Sequence, residues 1–295
     1  MDNEFILQDR LQKIQQIITQ YGEENFYISF SGGKDSTVLS WLIDKALDNN
    51  KIPRVYADTG IELNMIKNFV MKLSYNDNRF IIIKPEHNIR ATLETNGYPF
   101  KSKIHSHVVA MYQKDKFKQN MVKGYLGLRP EHWHVATCPK KLEYQFQEDF
   151  QLKISDMCCV KMKEEPLINY SKENNKKYVI VGIMKDEGGR RQRSGCLVFN
   201  GKKLKKFQPL VAITKDWENW LINKYDIEIC DIYKAPYNFD RTGCKGCPFA
   251  INIQKELDIL EKYFPAERKQ CEIIWKPVYD EYRRIGYRLK GVDKN

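Results

Sequence analysis

At 295 residues the chain is long enough for one large domain or two modest ones, and with 42% hydrophobic and 29% charged residues it can form an ordinary globular core. No run approaches the roughly 18 consecutive apolar residues of a membrane span, and the acidic, amphipathic start MDNEFILQDR lacks the apolar stretch of a secretory signal, so a cytoplasmic protein without a membrane partner is expected. A formal net charge of +11, from 49 Lys and Arg against 38 Asp and Glu, suits anionic partners: nucleotides, sulfate or nucleic acid.

In chain order, residues 5 to 21 carry Leu7, Leu11, Ile14 and Ile18 at helical spacing, and Gly22 ends the pattern. NFYISF reads as a buried strand, and STVLSWLIDKAL, beyond a short glycine-bearing loop, as a helix. RVYAD is a second strand that runs into DTGIE; NMIKNFVMKL is a helix and RFIIIK a third strand. This alternation predicts an α/β fold: a doubly wound, mainly parallel sheet with helices on both faces. Residues 97 to 150 show no clear period and read as an irregular excursion on the substrate side. PLINYSKENN is a helix candidate followed by the strand KYVIVGI, and ITKDWENWLINKY is a helix with Thr214 as its N-cap. APYNFDRTGCKGCPF is rich in turn residues, and the stretch from about Ile251 to Leu289 looks mainly helical. The expected organisation is a nucleotide-binding domain over residues 1–230, with residues 231–295 forming a cysteine-bearing loop and helical segment packed on the same domain.

The most specific stretch is FSGGKDST, Phe30 to Thr37, between the first strand and its helix. Gly32 and Gly33 let the backbone approach an anion, and amides at a helix start then bind it with help from the helix dipole. Ser31, Ser36 and Thr37 add hydroxyls, and Lys34 adds positive charge. Asp35 repels an anion and therefore suits a Mg²⁺ ion or a helix cap. The spacing is not that of the G-x-x-x-x-G-K-[ST] phosphate loop. Asp58 follows the second strand, where a carboxylate of a doubly wound sheet reaches a ribose or base. KDEGGRRQR has the composition of an oxyanion clamp, since arginine engages phosphate or sulfate through two parallel bonds.

Eight cysteines are many for a cytoplasmic chain, where disulfides are not expected. Cys158 and Cys159 are adjacent, and Cys244 and Cys247 form a C-x-x-C; such close pairs read as metal ligands or redox thiols. Four thiolates suit an iron–sulfur cluster or Zn²⁺ equally. Two adjacent cysteines on one centre are sterically awkward, which leaves Cys138 or Cys196 as substitutes. Cys230 and Cys271 sit in apolar, helix- or strand-like settings and read as core or plain surface residues. His105 with His107, and His132 with His134, form His-x-His pairs that read as loop side chains.

SGGKDS in a strand–loop–helix setting resembles the signature of the PP-loop ATP pyrophosphatases, the adenine nucleotide alpha hydrolase group. A longer series is similar to the phosphoadenosine phosphosulfate (PAPS) reductase family: Cys-Cys in DMCCVKMKEEPL, then VGIMKDEGGRRQRS, QPLVAITKDWENWL and RTGCKGCPF. The resemblance covers roughly residues 25 to 250. It implies a Rossmann-like fold whose loop holds the pyrophosphate of ATP, cleaved between the alpha and beta phosphates. It implies Lys34, Asp35, Arg190 and Arg191 as catalytic, and Ser31 through Thr37, Asp58, Thr59, Glu62, Gly182 and Arg193 as nucleotide contacts. It implies a 4Fe–4S cluster on Cys158, Cys159, Cys244 and Cys247, with zinc as the alternative, and Mg²⁺ with the nucleotide. Two departures shape the expected reaction. No cysteine follows Cys271, whereas sulfonucleotide reductases carry their attacking thiol in a C-terminal motif, and the loop here is complete where theirs is degraded. The expectation is an enzyme that cleaves ATP to AMP and pyrophosphate and so activates an acceptor for sulfur transfer, with a nucleic acid as candidate acceptor and a sulfur donor or reductant protein as partner. The alternatives are a PAPS or APS reductase that releases sulfite through Cys138 or Cys196, and a non-catalytic nucleotide- and nucleic-acid-binding regulator.

Overall fold

Phe26, Ile28 and Phe30 alternate with Tyr27 and Ser29, and both sets are largely covered, so β1 (Phe26–Phe30) is a strand packed on both faces. A computed structural model describes residues 2–129, 137–185 and 195–290. Its contacts divide the chain into two compact units.

The first unit comprises Met1–Asp58, Glu62–Pro85 and Glu165–Thr242. Here β1 is flanked by β2 (Arg54–Ala57) and β4 (Tyr178–Ile180), β3 (Phe80–Ile83) lies beyond β2, and β6 (Lys203–Phe207) and β5 (Leu197–Asn200) lie beyond β4. All pairs are parallel except β5 with β6. The order β3-β2-β1-β4-β6-β5 reverses direction at β1 and β4, the place where doubly wound sheets bind ligands at their carboxyl ends. On one face Phe26 and Ile28 pack with α1 (Asn3–Tyr21), α2 (Lys34–Ala46) and α9 (Lys215–Tyr225); Phe30 and Tyr56 meet Val70 of α3 (Asn64–Asn76). On the other face Tyr27 and Val55 meet Tyr170 of α8 (Glu165–Glu173). The expected α/β sheet with helices on both faces is therefore present. Thr214 caps α9, its hydroxyl accepting from Trp217 N–H at 3.2 Å. The β5–β6 hairpin is a finding beyond the sequence reading, because KLKKF exposes three of its five residues and shows no clean alternation.

The second unit comprises Thr59–Ile61, Glu86–Glu164 and Gly243–Asn295. It is helical: α4 (Ile89–Asn96), α5 (Lys103–Asp115), α6 (Asn120–Tyr125), α7 (Met157–Cys159), α10 (Ile253–Tyr263), α11 (Pro265–Ile274) and α12 (Lys276–Arg284). The stretch 97–150, expected to be irregular, contains the 13-residue α5, capped by the Ser102 side chain. Its buried face is His105, Ser106, Val108, Val109 and Tyr112, and two polar members at the start hid the apolar period. His105 is neutral there. Burial pushes its pKa down to about 4, and its ring bonds Tyr125 Oη at 3.0 Å and Gln145 Oε1 at 2.7 Å. Among the described residues no helix is long and apolar enough to cross a membrane.

Candidate nucleotide cradle and thiol cluster

Small residues shape the turn between β1 and α2. Gly32 sits at φ +71, and a Cβ there would stand 2.7 Å from Val70 and 2.8 Å from Ile66, so glycine alone fits both the backbone and the packing on α3. Gly33 is the N-cap of α2 and makes no side-chain capping bond. The hydroxyls tie the turn to itself. Gly33 N–H donates to Ser31 Oγ at 3.2 Å, the Ser31 and Ser36 hydroxyls lie 3.1 Å apart, and Ser36 and Thr37 donate to the Gly33 carbonyl at 2.9 and 3.0 Å. Ser36 and Thr37 are buried. Expected as donors to an anion, these hydroxyls here fix the backbone that would present its amides to one. Gly182, just past β4, is pressed against the same turn, since a Cβ there would stand 3.0 Å from the Asp35 carbonyl oxygen. The structure thus brings Ser31 through Thr37 and Gly182 together at the β1/β4 switch.

Lys34 reaches α9, with Nζ 3.1 Å from Asn219 Oδ1 and 3.2 Å from Glu218 Oε2. Glu218 is 0% exposed, and Lys34 pairs with it as the opposite charge. Burial pushes the Glu218 pKa up to about 7, the neighbouring Asp35 carboxylate adds to the rise, and Lys34 opposes it. Glu218 lies inside the helix expected over ITKDWENWLINKY. Its only signal is an acid at the interior position beside Trp217. Tyr233 was likewise missed. Its hydroxyl bonds Thr242 Oγ1 and lies 3.4 Å from where a Cβ on Gly33 would stand, so a phenol closes over the start of α2. A cavity of about 1050 Å³ in this unit opens beside Lys34 and is also lined by Lys72, Lys215, Asn219, Tyr233 and Lys234.

Asp58, at the end of β2, is buried and pairs with Lys67 Nζ at 2.9 Å. Glu62 is also buried in the first unit. Thr59, in the second unit, is buried, and its hydroxyl accepts from Ile61 N–H at 3.4 Å. Arg190, Arg191 and Arg193 lie outside the described residues, as do His132 and His134.

All four clustered cysteines belong to the second unit. Cys158 and Cys159 lie at the start of a helix whose next turn, Val160–Glu164, is π-helical, a local widening common at functional sites. The adjacent Cys158 thiol lowers the Cys159 pKa, aided by Lys103 and Lys163. Cys159, burial and the nearby Cys247 and Cys244 raise Cys158. Burial raises Cys247, and Cys244 and Cys159 add to that rise. Cys158 thus senses the other three and Cys247 senses Cys244 and Cys159, and the donor set has the chemistry of a thiolate-ligated cluster. Among the described residues no three His, Cys, Asp or Glu side chains converge closely enough to hold a single metal ion. Cys138 neighbours Lys101 and Glu143, and burial pushes its thiol up to about 12. Cys196 belongs to the first unit, beside Arg10 and Lys13, and burial raises it as well.

An uncharacterized protein of Methanocaldococcus jannaschii is 24% identical over 286 residues, which are 92% of this chain. The chain spans only 56% of that relative's length. Solved structures with a similar course include a PAPS reductase from Candida auris in complex with phosphate (14% identity, TM-score 0.42, 79% of this chain and 91% of that one). They also include the U34-tRNA thiolase NcsA from Methanococcus maripaludis with its 4Fe–4S cluster (15% identity, TM-score 0.42, 100% of this chain and 83% of that one), and an NH3-dependent NAD synthetase from Campylobacter jejuni (14%, 0.42, 99% and 100%). Likeness at this level carries no argument about chemistry. The phosphoadenosine phosphosulfate reductase domain, however, matches residues 25–125 and 107–250, a span that holds the turn, Gly182 and all four clustered cysteines, and the chain belongs to that family.

Proposed function

We propose that this member of the family binds ATP on the turn Ser31–Thr37 and cleaves it to AMP and pyrophosphate, activating an acceptor for sulfur transfer. The observation that carries the reading is the complete turn, internally tied by its own hydroxyls and closed by Gly182, at the switch point of the sheet. An acceptor oxygen attacks the α phosphorus, the bond to the pyrophosphate oxygen breaks, and the adenylated acceptor later exchanges AMP for sulfur from a donor. The amides at the start of α2 stabilise the charge that develops on the departing pyrophosphate, and Mg²⁺ accompanies the phosphates. Lys34 and the lysines lining the adjoining cavity favour a polyanionic acceptor, for which a nucleic acid is the candidate. Cys158, Cys159, Cys244 and Cys247 would hold a 4Fe–4S cluster, which when bound supplies iron for handling the transferred sulfur. The reductase alternative needs an accessible thiolate, and burial raises both Cys138 and Cys196 away from that state.

The test is an anaerobic incubation of iron-loaded protein with ATP and DNA or RNA acceptors, following pyrophosphate. Acceptor-dependent pyrophosphate supports the reading. Thioredoxin-dependent sulfite from PAPS, with no pyrophosphate from ATP, overturns it.

A further inference from the structure

The C-x-x-C segment of the second unit is held by its carbonyls. Trp275 Nε1–H donates to the Lys245 carbonyl at 2.9 Å, Tyr279 Oη–H donates to the Gly246 carbonyl, and Tyr282 Oη–H donates to the Pro248 carbonyl at 2.9 Å. Arg288 Nη1 bonds the Pro248 carbonyl at 2.9 Å and the Lys101 carbonyl at 2.8 Å. All three ring donors are fully buried, and they come from α12 and the residue that precedes it. Inside the pair of cysteines, Lys245 is 4% exposed; its ammonium lies 3.0 Å from the buried Glu267 carboxylate and 2.8 Å from Gln270 Oε1 on α11. Gly246 is at φ +60, and a Cβ there would stand 2.4 Å from Tyr279 Oη and 2.8 Å from Cys271 Sγ. Buried ring donors aimed at three carbonyls of one turn do more than fill a core; an apolar ring would fill it equally well. They set the backbone, and hence where Cys244 and Cys247 project.

We infer that Trp275, Tyr279 and Tyr282 are positioning residues that hold the Cys244–Ala250 turn in its ligand-presenting shape before any metal arrives. This rests on the reading of Cys244 and Cys247 as ligands. Metal-organised turns of small domains are instead unstructured until loaded. A pre-shaped turn meets its ion or cluster with the ordering entropy already spent, which slows release.

The experiment is amide hydrogen exchange on reduced, chelator-treated full-length protein. Lys245, Cys247 and Ala250 are the reporters, since their N–H groups donate to Ile61, Cys244 and Cys247 carbonyls at 2.7, 3.2 and 2.8 Å. In metal-free wild type these amides should exchange at least about a hundredfold slower than an unstructured peptide. Tyr279→Phe should speed them about tenfold while leaving the amides of β1 and β4 unchanged. In iron-loaded protein the same variant should speed iron release to a ferrous chelator by about tenfold, with β1 and β4 exchange again unchanged. Unprotected amides in metal-free wild type would overturn the inference without any variant, and so would Tyr279→Phe with unaltered exchange. If wild type proves protected but binds no iron, the cluster reading fails and the positioning role stands.

Discussion

Replacing Glu218 by Gln removes a fully buried carboxylate while keeping its shape. The folded-state pKa is about 7 against an ordinary value of 4.5, because burial and the Asp35 carboxylate disfavour the charge more than Lys34 favours it. The folded chain therefore holds a proton that the unfolded chain releases between those two values. The sign follows: where the folded state binds more protons, stability falls as pH rises, here from about 4.5 to about 7. The whole difference corresponds to about 3 kcal/mol at 1.36 kcal/mol per pKa unit, of which about 2–3 kcal/mol falls between pH 5 and pH 8. Glutamine does not titrate, so the gain of Glu218→Gln over wild type should grow by that amount across the interval. Urea unfolding at pH 5, 6, 7 and 8, followed by tryptophan fluorescence, measures it, and the neighbouring Trp217 is itself buried. A variant-minus-wild-type difference that stays flat within about 0.5 kcal/mol would refute the assignment of Glu218 as a buried, protonatable acid.

Other outcomes follow from the same structure. Gly182→Ala places a methyl 3.0 Å from the Asp35 carbonyl and should weaken nucleotide binding at least about tenfold in calorimetry, with the cysteine-bearing unit's iron content unchanged. Lys245→Met removes the ammonium 3.0 Å from the buried Glu267 carboxylate and should cost about 3–5 kcal/mol in thermal or urea unfolding, much of it recovered by adding Glu267→Leu. Cys159→Ser should lose the visible absorption and bound iron of anaerobically reconstituted protein. Cys138→Ser and Cys196→Ser should keep both, since neither thiol is among the groups that shift Cys158, Cys159 or Cys247.

The sheet was legible because its signals are local. FYISF, RVYA and FIII each sit between a helix of clear period and a turn, and the glycine pair after β1 marks the turn that follows it. The turn itself was legible as an anion cradle, but the direction of its hydroxyls was not. Ser31 and Ser36 face backbone atoms that come near only once the turn is closed. Glu218 and Tyr233 were missed because their partners, Lys34 and Thr242, lie far along the chain or in a loop, and a single acid in an amphipathic helix reads as its solvent face. The helix α5 was hidden by His105 and Ser106 on its buried side. The aromatic donors of α12 read as core in sequence, because only three-dimensional placement sets their polar ends against the carbonyls of residues 245 to 248.

The central claim is that the turn Ser31–Thr37 binds ATP itself. Its most direct test is calorimetric titration of the purified, iron-loaded protein with ATP and with PAPS, in parallel and in the presence of Mg²⁺. The account predicts saturable ATP binding that Gly182→Ala weakens, with PAPS bound no better. Binding of PAPS with no measurable affinity for ATP would contradict it.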